Sequence, residues 1–234
     1  MTKAWYELDS RPTGARYWAA VVRKQPSAVL VAIQLFAIIL LPWVESEPWG
    51  RVVITSLSLF AVTFGIWVVR STPALTWLAL LIGFPAFVLE VWSVLEPADH
   101  VVGFTAHALL AVFYFYVAYG LVSYMFADTW VTKDELFAVG AAFTVLLFGF
   151  AYLFVAIQTL APGSFTGHTG EGRKTFLELL YFSGANLTSV GLSDVGAVKP
   201  HARAAVIIEQ LSGVLYVAMV ISRLVALTVM RARS

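Results

Sequence analysis

The sequence predicts an all-α membrane protein: six transmembrane helices, with a shorter helix and a turn folded back between the fifth and the sixth. Three observations predict it. Of the 234 residues, 60% are hydrophobic and only 12% are charged, whereas a water-soluble domain is about one-quarter charged. Apolar runs of about 18 residues or more recur along the chain, and each matches a hydrocarbon core of about 30 Å. Mean hydropathy is +0.83. Lipid leaves the backbone of such a run no partner but itself, so each is read as a helix.

The first span is Ser27–Val44, closed by Pro42 and the turn "ESEP", and the second is Val52–Val69, stopped by "RSTP". The third, Ala74–Leu95, carries Glu90 and ends at "EPADH". Val101–Phe126 is the fourth, and after the polar linker 127–134 the fifth is Glu135–Ala161. The sixth is Arg203–Met230. Residues 1–26 form a cytoplasmic leader in which Gly14–Gln25 is either a short interfacial helix or an ordinary basic segment. No small-residue cleavage site follows it, so it is read as retained. Residues 27–126 then make a four-helix peripheral unit and 135–234 a second unit.

Charge orients the spans. With the N-terminus inside, ten basic residues are cytoplasmic: Lys3, Arg11, Arg16, Arg23, Lys24, Arg70, Lys133, Arg223, Arg231 and Arg233. Five are outside, namely Arg51, Arg173, Lys174, Lys199 and Arg203. The positive-inside rule therefore places both termini in the cytoplasm of a multi-pass cell-membrane protein. A net charge of +1 gives no reason for a nucleic-acid partner, and no partner protein is evident. With no cysteine there is no disulfide, thiolate metal site or cysteine nucleophile. No metal-ligand cluster, Ser-His-Asp arrangement or inverted repeat points to an enzyme or a transporter, and no cofactor is expected.

Between the fifth and sixth spans the pattern changes. A Gly-rich loop, "APGSFTGHTGEG", precedes a helical stretch "RKTFLELLYFSGAN", and the helix is placed at 174–187. About 14 residues rise only about 20 Å, too little to cross. The hydroxyl-rich turn "LTSVGLSD" follows, and the chain returns to the outer side at "VKPHAR". A re-entrant segment is tolerated in lipid only where protein covers it or water fills it, which implies a pore. Small residues let several copies approach one axis, and inward backbone carbonyls replace the hydration shell of a monovalent cation. The C-terminal end of the short helix favours a cation electrostatically, and the hydroxyls of Thr188 and Ser189 add oxygens. One chain supplies one strand, so closure requires several chains in cyclic symmetry.

Here the sequence resembles the potassium-channel superfamily. The family's filter reads T-T-V-G-Y-G-D; this chain has Thr188, Ser189, Val190, Gly191, Leu192, Ser193 and Asp194. "LYFSGANLTSVG" is similar to the aromatic end of the family's pore helix, and "EQLSGVLYVAMVISRLVAL" to its inner helix. The resemblance covers roughly 135–230. It implies an outer helix at 135–161, a pore helix at 174–187, a filter at 188–194 and an inner helix at 203–230, in a homotetramer within the bilayer. Ion-binding residues would be Thr188, Ser189, Val190, Gly191, Leu192 and Ser193, with K⁺ or Na⁺ held only there. Asp194 would stand at the filter mouth. Gly213 falls at the family's gating hinge, with close helix packing as the equal alternative.

Two departures matter. Leu192 replaces a Tyr whose phenol would hold the strand away from the axis. Ser193 replaces a Gly and costs about 1 kcal/mol if φ there is positive. Inner sites near Thr188–Gly191 are therefore expected to survive and outer ones to change, weakening the preference for K⁺ over Na⁺. Ala185 stands where some bacterial relatives carry a carboxylate that braces the filter aspartate. The fourth span has no Arg, Lys, Asp or Glu, unlike a voltage sensor, so little gating charge is expected. The alternative function is a non-conducting relative or regulatory subunit with a decayed filter.

Glu209 and Glu178 are read as braces, Glu178 with Arg173 and Lys174 as candidate neighbours. Glu90 is either paired or hydrated near the outer interface, and His107 is a packed helix residue. His168 and His201 are outer-loop residues, either plain surface groups or proton-sensitive ones. The aromatic stretch "FYFYVAYGLVSYMF" is assigned to packing and lipid contact. The chain ends at "MRARS", so no cytosolic ligand-binding domain is expected after the sixth span.

Overall fold

The computed structural model describes residues 25–45, 49–50, 53, 56, 73–96, 98–126, 133–167 and 172–233. All of the second span but residues 53 and 56, residues 14–24 and His168 lie outside the described residues. Six helices and two paired two-residue strands are described: α1 (Pro26–Val44), α2 (Pro73–Leu95), α3 (His100–Met125), α4 (Lys133–Leu160), β1 (Phe165–Thr166), α5 (Phe176–Leu187), β2 (Gly196–Ala197) and α6 (Pro200–Arg233). All but α5 are long and apolar enough to cross a membrane, five candidate spans among the described residues. The protein is a multi-span membrane protein.

Local chemistry sets the ends. α3 opens at Asp99, whose carboxylate accepts from the Val101 and Val102 N–H groups, satisfying two donors that a helix start leaves open. α1 and α6 begin on Pro26 and Pro200, residues suited to a first helical position. α6 thus starts three residues before the expected Arg203 and runs three beyond Met230. α5 starts two residues after the expected position 174 because Thr175 is its N-cap.

α4 is the hub. α3 packs along it most extensively; α1, α5 and α6 also lie on it, while α2 packs on α3. One apolar core crosses the expected boundary between peripheral and pore units, joining Leu30 and Leu41 of α1 with Leu110, Tyr114 and Val117 of α3, Phe148 and Tyr152 of α4, Leu180 of α5 and Tyr216 of α6. Within it Tyr114 stacks on Tyr152 with centroids 5.3 Å apart, and Tyr152 meets Phe176 at 4.7 Å. Of the α3 aromatics, Phe113 and Tyr114 are buried and Tyr119 faces outward, as packing plus lipid contact requires. Thr144 of α4 bonds Gln34 of α1, and the Tyr216 hydroxyl donates to the Val139 carbonyl across α6 and α4.

Both ends of the bundle are stitched by polar contacts. At the end where α4 begins, Ser27 donates through its N–H and its hydroxyl to Asp134, at 3.0 and 2.9 Å. Beside it Arg223 of α6 pairs with Glu135 at 2.8 Å and lies 5.1 Å from the Phe126 ring centre. At the opposite end His107, buried, holds the Gly103 carbonyl and sits 3.5 Å from Glu90. That is the packed histidine the sequence implied, and it supplies the Glu90 neighbour.

Candidate functional site: the short helix and its turn

The segment between α4 and α6 leaves and rejoins the bundle at one end. β1 pairs antiparallel with β2, Phe165 opposite Ala197 and Thr166 opposite Gly196. The Val198 N–H donates to Ser164 O at 2.9 Å, and Lys199 Nζ to Pro162 O at 2.6 Å. The described start of the Gly-rich loop is therefore paired with the chain that returns after the turn, and the two strands clasp the base of the segment.

From that base α5 runs inward. Its 12 residues span about 18 Å. Three contacts fix its start. Thr175 and Glu178 form a reciprocal capping box, with the Glu178 N–H donating to Thr175 Oγ1 at 3.2 Å and the Thr175 N–H to Glu178 Oε2 at 2.7 Å. Gln158 of α4 grips the Lys174 backbone, accepting its N–H at 3.0 Å and donating to its carbonyl at 2.9 Å. Leu177 N–H donates to the Glu45 carboxylate at the end of α1, with distances of 3.1 and 3.2 Å. Glu178 is thus a cap, a role that the expected partnership with Arg173 and Lys174 does not describe.

Deep in the bundle, α5 is fastened to the helices on either side. Buried Ser183 donates to Leu147 O on α4 and to Glu209 on α6, at 3.0 and 2.5 Å. Gln210 donates to Asn186 Oδ1 at 3.0 Å. Gly213 touches the last turn: a Cβ on it would stand 1.9 Å from the Leu187 carbonyl oxygen. Gly213 lies 13 residues into α6, about 20 Å along its axis. Glu209 is the brace expected of it, holding Ser183 of α5 from α6. Close packing is what Gly213 visibly provides.

The turn follows. Thr188 caps α5, and its hydroxyl returns to Gly184 O at 2.7 Å. Ser189 N–H donates to Asn186 O at 2.9 Å, and Gly191 N–H reaches back to Ala185 O at 2.8 Å. Positive φ falls on Ser189 (60°) and Gly191 (70°). Among the described residues Ser193 is not in that conformation, so the strain weighed for its substitution does not arise there. Its hydroxyl instead accepts the Val195 N–H at 3.1 Å. Strain of about 1 kcal/mol belongs to Ser189, and Ser189→Gly is expected to stabilise the detergent-solubilised protein by about that amount, read as a raised unfolding midpoint.

Of the residues singled out, Thr188, Ser189, Val190, Gly191, Leu192 and Asp194 are exposed in the single chain, and Ser193 is half-buried. The strand lies open along its length. His201 is exposed at the start of α6. The contributions of Glu45, Gln158, Ser183 and Gln210 were not legible in the sequence. Glu45 stands 132 residues from its partner, and no spacing rule links them.

Residues 140–230 match the family model described as an ion channel. The matched segment is similar to ion-channel domains of the potassium-channel superfamily. Neither a curated protein nor a solved structure matches the chain. The matched segment comprises most of α4, the two strands, α5 with its turn, and α6; α1, α2 and α3 precede it. The strand pair, the half-length helix and the open turn all lie within it.

Proposed function

We propose that the protein is a homotetrameric channel for monovalent cations, passing K⁺ and Na⁺ through a filter built from the 188–193 backbone of each chain. The observation that carries this reading is the open turn at the deep end of α5: exposed, irregular chain within a membrane-spanning bundle requires other copies or water around it. Exposure along α6 supports assembly. Ile207, Ile208, Leu211, Val214 and Leu215 all face outward in the single chain, beside the exposed turn. Four copies with their α6 helices toward a shared axis cover that surface and bring four turns together.

In this arrangement the half-helix α5 re-enters from the outer side and aims its partly negative C-terminal end at the pathway. Thr188–Gly191 supply the inner sites, Leu192 and Ser193 form an altered outer end, and Asp194 stands at the mouth. Both termini are cytoplasmic. α3 carries no Arg, Lys, Asp or Glu, so the membrane field has little charge to move and conduction depends weakly on voltage.

Reversal potentials of the purified protein in planar bilayers, under opposed K⁺ and Na⁺ gradients, test the reading. The permeability ratio is expected to stay below about tenfold, or about 1.4 kcal/mol of discrimination. A ratio as large as that of ordinary potassium channels sinks the selectivity assignment. Silence from assembled tetramers sinks conduction and leaves the regulatory-subunit alternative.

A further inference from the structure

The start of the pore helix is held from outside the channel domain. α1 ends at Glu45, whose carboxylate receives the Leu177 N–H through both oxygens, at 3.1 and 3.2 Å. Leu177 is the second residue of α5, and its N–H is one of the donors that a helix leaves unsatisfied at its start. A carboxylate there is favoured by the hydrogen bond and by the positive end of the helix dipole. The rest of the start is already occupied: Glu178 and Thr175 serve each other, and Gln158 holds Lys174. Glu45 is therefore the only described tie from a peripheral helix to the backbone of this helix start.

A cavity of about 270 Å³ lies against this contact, with Glu45, Glu90, His107, Gln158, Arg173 and Lys174 among its lining residues. A smaller cavity of about 30 Å³ shares His107 and Arg173 with it and is bounded by exposed Asp99 and His100 at the bundle end. Polar side chains thus line the region between the bundle end and Glu45. The titratable and charged groups around it are Glu90 from α2, His107 from α3, Tyr152 from α4, Arg173 and Lys174 from the loop, and Glu178 from α5.

Resting on the channel reading above, we propose that Glu45 is a positioning residue for the filter, and that its protonation from the outer side loosens the pore helix and lowers conduction.

The sign follows from the surroundings. Burial raises the Glu45 carboxyl above its ordinary value of 4.5, and nearby Glu178 adds to the rise; the Leu177 and Phe176 N–H groups and the Thr175 hydroxyl partly oppose it. As pH falls through that raised value the charge is lost, and with it the stronger hydrogen bond and the dipole attraction. A pKa raised in the fold contributes stability that is complete below 4.5 and is lost as pH rises through the folded value. Acid therefore weakens one helix contact without unfolding the protein through Glu45. That is the behaviour of a regulator.

The test uses K⁺ current through the full chain in bilayers as outer pH falls from about 7.5 to about 5. Wild-type current is expected to fall about fivefold, the weight of one helix cap. Glu45→Gln is expected to carry a low current that stays flat over the range, Glu45→Asp to recover a pH-dependent current, and His107→Gln to keep the wild-type response. A conducting wild type with no acid response, or a Glu45→Gln response matching wild type, overturns the proposal. Amide exchange at Leu177, measured at one pH, reads the contact without current: Glu45→Ala should speed it about fivefold. Unchanged exchange overturns the tie. A wild type silent at every pH overturns the channel reading and the acid response with it, while faster exchange in Glu45→Ala still supports the contact.

Discussion

Replacing Gly213 by alanine is expected to cost about 3 kcal/mol of stability and to abolish ion flux. The added Cβ would lie 1.9 Å from the Leu187 carbonyl oxygen and 2.8 Å from its carbon, and both belong to backbone that cannot rotate aside as a side chain can. Either α6 shifts outward or the last turn of α5 is pushed from its place. The first separates Glu209 and Gln210 from Ser183 and Asn186; the second displaces Thr188 directly. Overpacking of this kind costs about 1–3 kcal/mol even where side chains can adjust. Gly120→Ala is the control. No atom lies within 4 Å of the Cβ it would add, and alanine favours a helix over glycine by about 1 kcal/mol. Unfolding midpoints in detergent should therefore move in opposite directions for the two variants. A Gly213→Ala protein with unchanged midpoint and current would show that the close approach does not exist.

Glu135→Ala should destabilise the protein by about 3–5 kcal/mol, the cost of removing one member of a buried ion pair. Arg223 and Glu135 meet at 2.8 Å with side chains 10% and 6% exposed, and the guanidinium also faces the Phe126 ring. A methionine at position 223 keeps much of the packing without the charge. The double variant Glu135→Ala, Arg223→Met is therefore expected to lose less than the sum of its single substitutions. Strictly additive midpoints across that cycle would mean that the pair is not coupled. The contact ties the far part of α6 to the start of α4, so it sets where the inner helix stands at the cytoplasmic side in the proposed orientation.

Much of this was readable along the chain because lipid imposes one simple demand. An apolar run must bond its own backbone, so α1, α2, α3, α4 and α6 could be placed within a few residues. α5 was visible as the run too short to cross. Thr175 and Glu178, three apart, carried the capping signature that moved its start. The hydroxyl-rich turn proposed as a filter stood out as a local pattern because the chemistry proposed for it lies in consecutive peptide groups. The condition on which Ser193 would carry strain is not met, because positive φ depends on how the turn leaves the helix: Gly191 N–H reaches back to Ala185 O, and the left-handed residues are then Ser189 and Gly191.

By itself the sequence determined the solvent, the number of long apolar runs and the position of the hydroxyl-rich turn, since each rests on neighbours in the chain. Tertiary structure alone decided what holds that turn. Glu45 meets Leu177, Glu209 meets Ser183, and Gly213 admits the Leu187 carbonyl. These partners lie between 26 and 132 residues apart. Their meeting depends on how the helices pack around α4, and a linear pattern carries no distance between faces.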